Sequence, residues 1–166
     1  MRGLPSLSPP NPDVADNFHA SAVVLGDRGI VIAGASGAGK TQFALVLISH
    51  VRPFGLFARL VADDQVLLSA HHGRLVCIAP PAIAGLVEVR GLGPQPLEHE
   101  AKAPVDLVVR LVERDAVARF PEAETEVLLG CHVPLLRLTD DDRQAAMMAV
   151  VARLSLPPFD RKQAGT

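Results

Sequence analysis

Residues 34–41 read Gly34-Ala35-Ser36-Gly37-Ala38-Gly39-Lys40-Thr41, and this stretch decides the fold. It follows an apolar run at 29–33 that is typical of a strand and precedes an apolar-periodic run at 43–48 that is typical of a helix. A strand, a glycine-rich turn and a helix in this order predict a phosphate-binding P-loop, because glycines let backbone N–H groups approach phosphate oxygens. The alternative is a glycine-rich turn without a ligand. We therefore predict an α/β fold, a P-loop nucleotide-binding domain whose mixed β-sheet is flanked by helices.

The last two residues of this stretch carry its chemistry. Lys40 is expected to reach the β- and γ-phosphates of a nucleotide, and Thr41 is expected to offer its hydroxyl to Mg²⁺. The backbone from Gly34 to Thr41 as a whole is predicted to hold the phosphates. The implied ligands are ATP and Mg²⁺.

The composition narrows the class of protein. A chain of 166 residues is long enough for one domain with its own core. With 49% apolar residues, 20% charged residues and a formal net charge of −2, disorder, a membrane span and basic nucleic-acid binding are all disfavoured. The first residues contain no long apolar segment, so no secretion signal is predicted and a cytoplasmic location is expected. Cys77 and Cys131 are predicted to be buried free thiols.

Proline and turn residues suggest how the chain is organised. Four prolines among residues 4–12 predict a flexible N-terminal lead-in at 1–16, followed by the P-loop domain at 17–155 and a loose C-terminal tail at 156–166. A mobile loop is expected at 91–104. Thr139 is expected to cap a helix that has Asp140, Asp141 and Asp142 in its first turn and runs to about residue 154. Strands are predicted at 21–25, 30–33, 57–62, 66–69, 74–78, 86–89 and 105–112.

An acidic pair follows the predicted strand at 57–62. Asp63 and Asp64 begin 23 positions after Lys40, which is the arrangement of a Walker-B element beside a P-loop. Such a carboxylate can hold Mg²⁺ or act as a base. Successive side chains of a strand point in opposite directions, so the two acids are expected to have different roles. A solvated turn is the alternative.

A second charged motif lies farther along the chain. The residues Glu88-Val89-Arg90 place two charges on one face of a strand, either at a shared site or as a surface cross-strand pair. The whole stretch Leu86-Val87-Glu88-Val89-Arg90-Gly91-Leu92-Gly93 resembles the signature of the HPr kinase/phosphorylase family. It follows the P-loop and the acidic pair in that family's order, and His19 lies where the family has a histidine. The resemblance covers about residues 17–93, with a weaker echo at 133–137.

The resemblance implies an enzyme, a protein-serine kinase/phosphorylase. It would phosphorylate a serine of HPr, the phosphocarrier of the sugar phosphotransferase system, and reverse the reaction with inorganic phosphate to release pyrophosphate. Family members form homo-oligomers, hexamers by resemblance. The chain is expected to be a short form with only the C-terminal catalytic P-loop domain, so that the predicted domain at 17–155 is the kinase/phosphorylase catalytic domain.

The resemblance also implies a role for each site residue. Asp63 would be the base for the serine hydroxyl and the acid in the reverse direction, with His19 near it, and Asp64 would lie close behind the metal and the phosphates. Glu88 and Thr41 would hold Mg²⁺. Arg137 would supply a transition-state charge. Arg90 would orient Glu88 or contact the HPr-type partner protein.

Other functions remain open. The main alternative is a nucleotide-sensing regulatory P-loop module that acts through protein partners such as a histidine kinase, and Asp63→Asn would leave such a sensor unaffected. A small-molecule kinase is a weaker alternative. The remaining histidines are expected in surface or capping positions rather than at a metal; they are His50, His71, His72, His99 and His132.

Overall fold

The computed structural model describes residues 15–160. Within them the chain forms two helices, α1 and α2, and eleven strands, β1 to β11. In chain order their bounds are β1 Asp16–Phe18, β2 Ala20–Leu25, β3 Arg28–Gly34, α1 Lys40–Val51, β4 Ala58–Ala62, β5 Val66–His71, β6 Arg74–Ile78, β7 Leu86–Val89, β8 Gly93–Pro96, β9 Lys102–Leu111, β10 Glu124–Leu128, β11 Cys131–Leu138 and α2 Arg143–Arg153.

A mixed sheet of nine strands forms the framework. The strand order is β1-β5-β6-β9-β3-β2-β4, and β11 pairs with β9 and carries β10 beyond it. Strands β3, β9 and β11 are mutually parallel, so their carboxyl ends lie at one edge of the sheet. The β2–β3 hairpin turns through Gly26, whose positive φ of 62° suits glycine. Among the described residues, strands β7 and β8 pair only with each other, as a separate hairpin.

Each face of the curled sheet has its own core. One core joins the sheet to both helices, and its largest fully buried side chain is Phe43 of α1. The other face folds over, so that β2, β3 and β9 pack against β5 and β6 around residues such as Val31 and Leu68. Strand β3 contributes to both cores because its two faces are buried, which explains its continuous apolar run. The predicted α/β fold with a mixed sheet and flanking helices is confirmed.

Several sequence-based expectations are corrected. The segment 91–104 is not one loop, because β8 and the start of β9 lie in it. Thr139 caps only a 3₁₀ turn at Asp140–Asp142, whereas α2 begins at Arg143 and is capped by Asp142, whose carboxylate accepts from the Ala145 N–H at 3.0 Å. Strands β1, β8, β10 and β11 were absent from the prediction.

The predicted N-terminal lead-in and C-terminal tail can be compared with the structure only in part. Residues 1–14 and 161–166, most of the predicted lead-in and tail, lie outside the described residues. Strand β1 already begins at Asp16, and Leu156 is buried in the core with the helices. Cys77 and Cys131 are buried free thiols, as predicted. Within 15–160, no helix has the length and apolar character that crossing a membrane requires.

Candidate active site

The P-loop connects the end of β3 to the start of α1. Gly37 and Gly39 have φ angles of 79° and 92°, a left-handed conformation that favours glycine. A Cβ at Gly39 would also collide with the carboxylate of Asp140, so only glycine fits at this position. The strand–turn–helix context that the sequence predicts is therefore present, and it presents the first turn of α1 at the edge where β3, β9 and β11 end.

Lys40 lies under the loop rather than in solvent. The residue is only 5% exposed, and its ammonium donates to the carbonyl oxygens of Gly34 at 3.2 Å and Ala35 at 3.1 Å. It also lies 3.1 Å from Nε2 of His19. Because an ammonium can only donate, Nε2 of His19 accepts in this contact. Lys40 is thus held by three acceptors at the position from which it can reach a phosphate.

Asp63 is a buried carboxylate with three hydrogen-bond donors. It is 6% exposed, and its Oδ1 accepts from the hydroxyls of Ser21 at 2.9 Å and Thr41 at 2.7 Å. Its Oδ2 accepts from the backbone N–H of Glu88 at 3.0 Å. One side chain therefore ties the P-loop helix, β2 and the β7–β8 hairpin together. Because the Thr41 hydroxyl donates its proton to Asp63, the lone pairs of its oxygen point away from Asp63 and are available to a metal.

Asp64 has the opposite environment. Its backbone has a positive φ of 63°, and its side chain is 61% exposed. The backbone N–H of Asp64 donates to the hydroxyl of Ser21 at 3.1 Å, which holds this unusual conformation. Its Oδ1 lies 3.6 Å from Nε2 of His19, but that nitrogen accepts from Lys40 and therefore has no proton to donate to Asp64. The two acids therefore differ in exposure, and their expected difference in role stays a prediction.

The β7–β8 hairpin closes one side of the site. Glu88 and Arg90 line a cavity of about 360 Å³ together with Lys40, Thr41 and Asp64. These side chains supply a hydroxyl and two carboxylates, which are the oxygen ligands that Mg²⁺ prefers, so the residues fit a magnesium ion bound with nucleotide phosphates. Glu88 and Arg90 thus share one site, although Arg90 follows the last residue of β7.

A second cavity adjoins the first. It has a volume of about 500 Å³ and shares Thr41, Asp64 and Glu88 with the first cavity. One wall of the second cavity is apolar, and Asp63 also lines this cavity. That wall consists of Ile83, Leu86, Val87 and Pro94. Asp64 therefore faces both cavities, whereas Asp63 lines only the second one.

Arg137 is the one predicted site residue that lies apart. It is on β11, and its guanidinium donates to the Glu124 carboxylate at 3.1 Å. It lines neither of the two cavities that contain Thr41. Beside it, Arg110 makes a bidentate pair with Glu126, and these hydrogen bonds raise the pKa of Arg110. To act on a phosphate, Arg137 would have to leave Glu124.

Sequence reasoning did not identify Ser21. Its side chain is fully buried, donates to Asp63 and accepts from the N–H of Asp64, so it connects both acids. A signal was available, because Ser21 is the single polar residue of β2, whose other five residues are apolar and all buried. A polar side chain in such a strand must find a partner. The partner lies 42 positions away, which no local pattern reveals.

Comparison with known proteins gives the family context. The family model described as "HPr Serine kinase C-terminal domain" matches residues 14–152. The chain is 25% identical to HPr kinase/phosphorylase of Lactobacillus acidophilus over 163 residues, covering 90% of this chain and 48% of that protein. It is 32% identical to HPr kinase/phosphorylase of Mycoplasma mycoides over 104 residues, covering 57% of this chain and 31% of that protein. The chain thus spans about a third to a half of the length of these relatives.

A solved structure supports the fold. The HPr(Ser) kinase/phosphatase from Coxiella burnetii superimposes with a TM-score of 0.71 at 23% identity, covering 84% of this chain and 96% of that one. The likeness includes the curled mixed sheet and its flanking helices.

Proposed function

The chain belongs to the HPr serine kinase C-terminal domain family, and on this premise we propose that it transfers the γ-phosphoryl group of ATP to a serine of an HPr-type phosphocarrier protein. The reverse reaction would use inorganic phosphate and release pyrophosphate, and the pair of reactions would regulate carbon metabolism through the phosphotransferase system. The observation that carries the proposal is the link from the P-loop to the acid pair: Thr41 donates to Asp63, and Asp64 lies 3.6 Å from His19, which contacts Lys40.

The phosphates would bind in the P-loop backbone from Gly34 to Thr41. Lys40 would exchange its loop carbonyl acceptors for phosphate oxygens, which are stronger acceptors because they are charged. Mg²⁺ would be held by Thr41 and Glu88 and would neutralise charge on the phosphates. Once Lys40 turns to the phosphates, Nε2 of His19 no longer accepts from it and is free to take up a proton, with which it can donate a hydrogen bond to Asp64. His19 would then orient that carboxylate.

The serine acceptor would enter the second cavity. Its apolar wall at Ile83, Leu86 and Pro94 suits a protein segment that presents apolar side chains beside the serine, and it suits a small polar metabolite less well. A carboxylate at the cavity floor takes the hydroxyl proton as the serine oxygen attacks the γ-phosphorus, and ADP leaves. In reverse, the same group returns a proton to the serine oxygen as phosphate attacks phosphoserine.

Two carboxylates compete for the role of base. The family resemblance assigns it to Asp63, and Asp63 lines the second cavity. Exposure favours Asp64, because Asp63 is 6% exposed and already accepts three hydrogen bonds, whereas the Asp64 side chain is 61% exposed. A base must come within about 3 Å of the hydroxyl that it deprotonates. We therefore propose Asp64 as the base and Asp63 as the residue that positions Thr41, with Arg137 kept as a predicted transition-state cation.

The experiment is transfer of label from γ-³²P-ATP with Mg²⁺ to purified HPr. HPr in which the acceptor serine is replaced by alanine, and the Asp64→Asn enzyme, serve as controls. Label that requires both groups supports the kinase, and pyrophosphate release on adding phosphate to labelled HPr supports the reverse reaction. ATP binding without transfer in either direction would instead favour the nucleotide sensor, with a partner such as a histidine kinase.

The proposal extends to the oligomeric state and the cellular location of the protein. By the family resemblance we expect a homo-oligomer, a hexamer, in the cytoplasm, without nucleic-acid or membrane partners. Light scattering of the purified chain tests the oligomer directly.

A further inference from the structure

A third cavity borders the P-loop on the side away from the acid pair. In the sheet, β2 and β4 lie on one side of β3, and β4 leads to Asp63 and Asp64. Strands β9 and β11 lie on the other side of β3. The segments that follow β9 and β11 enclose a cavity of about 610 Å³, whose P-loop wall is formed by Ala35, Gly37 and Ala38.

We propose that this cavity binds the nucleoside part, the ribose and base, of the triphosphate whose phosphates lie in the P-loop. The inference rests on the proposed function, because it assumes that the P-loop binds a nucleotide. In sheets with parallel strands, ligands bind outside the carboxyl ends of the strands, and β3, β9 and β11 all end here. The acid pair occupies the side where the terminal phosphate reacts, so the nucleoside must extend to the other side.

The cavity has the size and wall chemistry for this occupant. A volume of about 610 Å³ lies within the range of roughly 300–1,000 Å³ that is usual for small-ligand sites. Leu111, Val112 and Ala116 supply apolar surface against which a flat base can pack. The carboxylates of Glu113 and Asp115 line the same space and can only accept hydrogen bonds. The ribose hydroxyls and the amino group of a purine can donate hydrogen bonds to them.

Charge separates the two parts of the ligand. Four carboxylates line this third cavity, and those of Asp140 and Asp141 are partly compensated by ion pairs with Arg143 and Arg114. The remaining negative charge repels a polyphosphate but not an uncharged nucleoside. Lys40 and Arg90 line the cavity on the opposite side, which favours phosphate there. The P-loop therefore separates a side suited to phosphate from a side suited to nucleoside.

The walls are held in place by contacts between the two segments. The N–H of Val112 donates to the Leu138 carbonyl at 2.8 Å, which keeps the ends of β9 and β11 side by side. Arg114 contacts Asp141 at 3.4 Å across the outer edge of the cavity. Two hydrogen bonds from Arg143 hold Asp140 against Gly39, and they raise the pKa of Arg143. The cavity is thus built into the fold.

The test compares ATP with tripolyphosphate, which has the phosphates but no nucleoside. Ala116 is an exposed residue that lines the cavity, so Ala116→Trp should fill the space without disturbing the core. Ala118, two residues later, is exposed and does not line the cavity, so Ala118→Trp is the matched control. Affinities are measured by calorimetry with Mg²⁺ present, and the melting temperature of each variant reports its folding.

The expected result has three parts. The native chain and Ala118→Trp bind ATP more tightly than tripolyphosphate, and Ala116→Trp loses about tenfold or more in ATP affinity, about 1.4 kcal/mol, while its tripolyphosphate affinity is unchanged. Equal ATP affinity in Ala116→Trp and Ala118→Trp overturns the nucleoside site but leaves the P-loop function standing. Equal affinity of the native chain for ATP and tripolyphosphate does the same. Failure of the native chain to bind either ligand overturns the proposed function, and the nucleoside site with it.

Discussion

The sharpest test of the site is a pair of isosteric changes, Asp63→Asn and Asp64→Asn. Both remove one negative charge and keep the shape of the side chain. The residues adjoin in sequence, but one is buried with three donors and the other is largely exposed. The structure therefore predicts different effects of the two variants on the free energy of unfolding.

The cost of Asp63→Asn follows from its donors. Asparagine has one carbonyl oxygen, so its amide group must face either the N–H of Glu88 or the hydroxyls of Ser21 and Thr41. In the first orientation two donors oppose each other, and in the second the Thr41 hydroxyl must accept, which occupies a lone pair that a metal would need. A hydrogen bond to a charged group contributes about 1.5–3 kcal/mol, so we expect the free energy of unfolding to fall by about 2 kcal/mol.

Asp64→Asn should leave the fold intact and remove the chemistry. The exposed carboxylate has no buried donor to its side chain, so the free energy of unfolding should change by less than about 0.5 kcal/mol. Loss of a general base lowers turnover by about 10²–10⁴-fold. Urea denaturation measures the first quantity, and phosphoryl transfer to HPr at saturating ATP measures the second.

Either of two results would contradict these roles for Asp63 and Asp64. If Asp64→Asn transfers phosphate at the native rate, Asp64 is not the base, and the assignment returns to Asp63. If Asp63→Asn is as stable as the native chain, the hydrogen bonds described around that carboxylate do not contribute as argued. Parallel ATP-binding measurements show whether any lost turnover comes from chemistry rather than from binding.

Three further predictions follow from other parts of the structure. Ser21→Ala should lower the free energy of unfolding by about 1–2 kcal/mol and lower turnover with little change in the KM for ATP, because it removes the link between the two acids; Ser21→Thr, which keeps the hydroxyl, should recover part of the turnover. Arg137→Ala should change turnover less than about twofold if its exposed pair with Glu124 is its main contact, and a loss of 10²-fold or more would establish it as the transition-state cation. Burial raises the pKa of the Cys77 thiol from 9.0 to about 12, so the native state keeps a proton that the unfolded chain releases. Stability from this group is complete below pH 9 and falls by on the order of 1 kcal/mol per pH unit as pH rises toward 12, and Cys77→Ala should flatten that slope in denaturation curves at several pH values.

Local patterns predicted the parts of the site that are contiguous in sequence. The P-loop, the acids at the end of β4 and the β7 strand each carry a recognisable residue pattern over fewer than ten positions. Strand alternation predicted different roles for Asp63 and Asp64, and their different exposure agrees with that expectation without testing it. The pairing of Asp63 with Ser21 could not be predicted, because it depends on how β2 lies beside β4 in the folded sheet.

Three of the strands that the sequence did not predict, β8, β10 and β11, lack the residue pattern by which a strand is recognised. Strand β8 contains two prolines, which argue against a strand, and it forms only because its one partner is β7 at an isolated hairpin. Strand β10 is mostly exposed and ends its side of the sheet, so it lacks an apolar pattern. Strand β11 contains Pro134, which the adjoining β10 accommodates. In each case pairing outweighed the intrinsic preference of the residues.

The hydrogen bond from the Glu88 N–H to Asp63 has a consequence for how this site can change over time. Its donor belongs to the main chain, so every residue type except proline preserves it. The side chain at position 88 takes no part in this anchor, so the Glu88 carboxylate can turn toward a metal while the carboxylate of Asp63 keeps its orientation. The anchoring of the acid is thus inherited with the backbone path, and a comparison of aligned sequences would not reveal it.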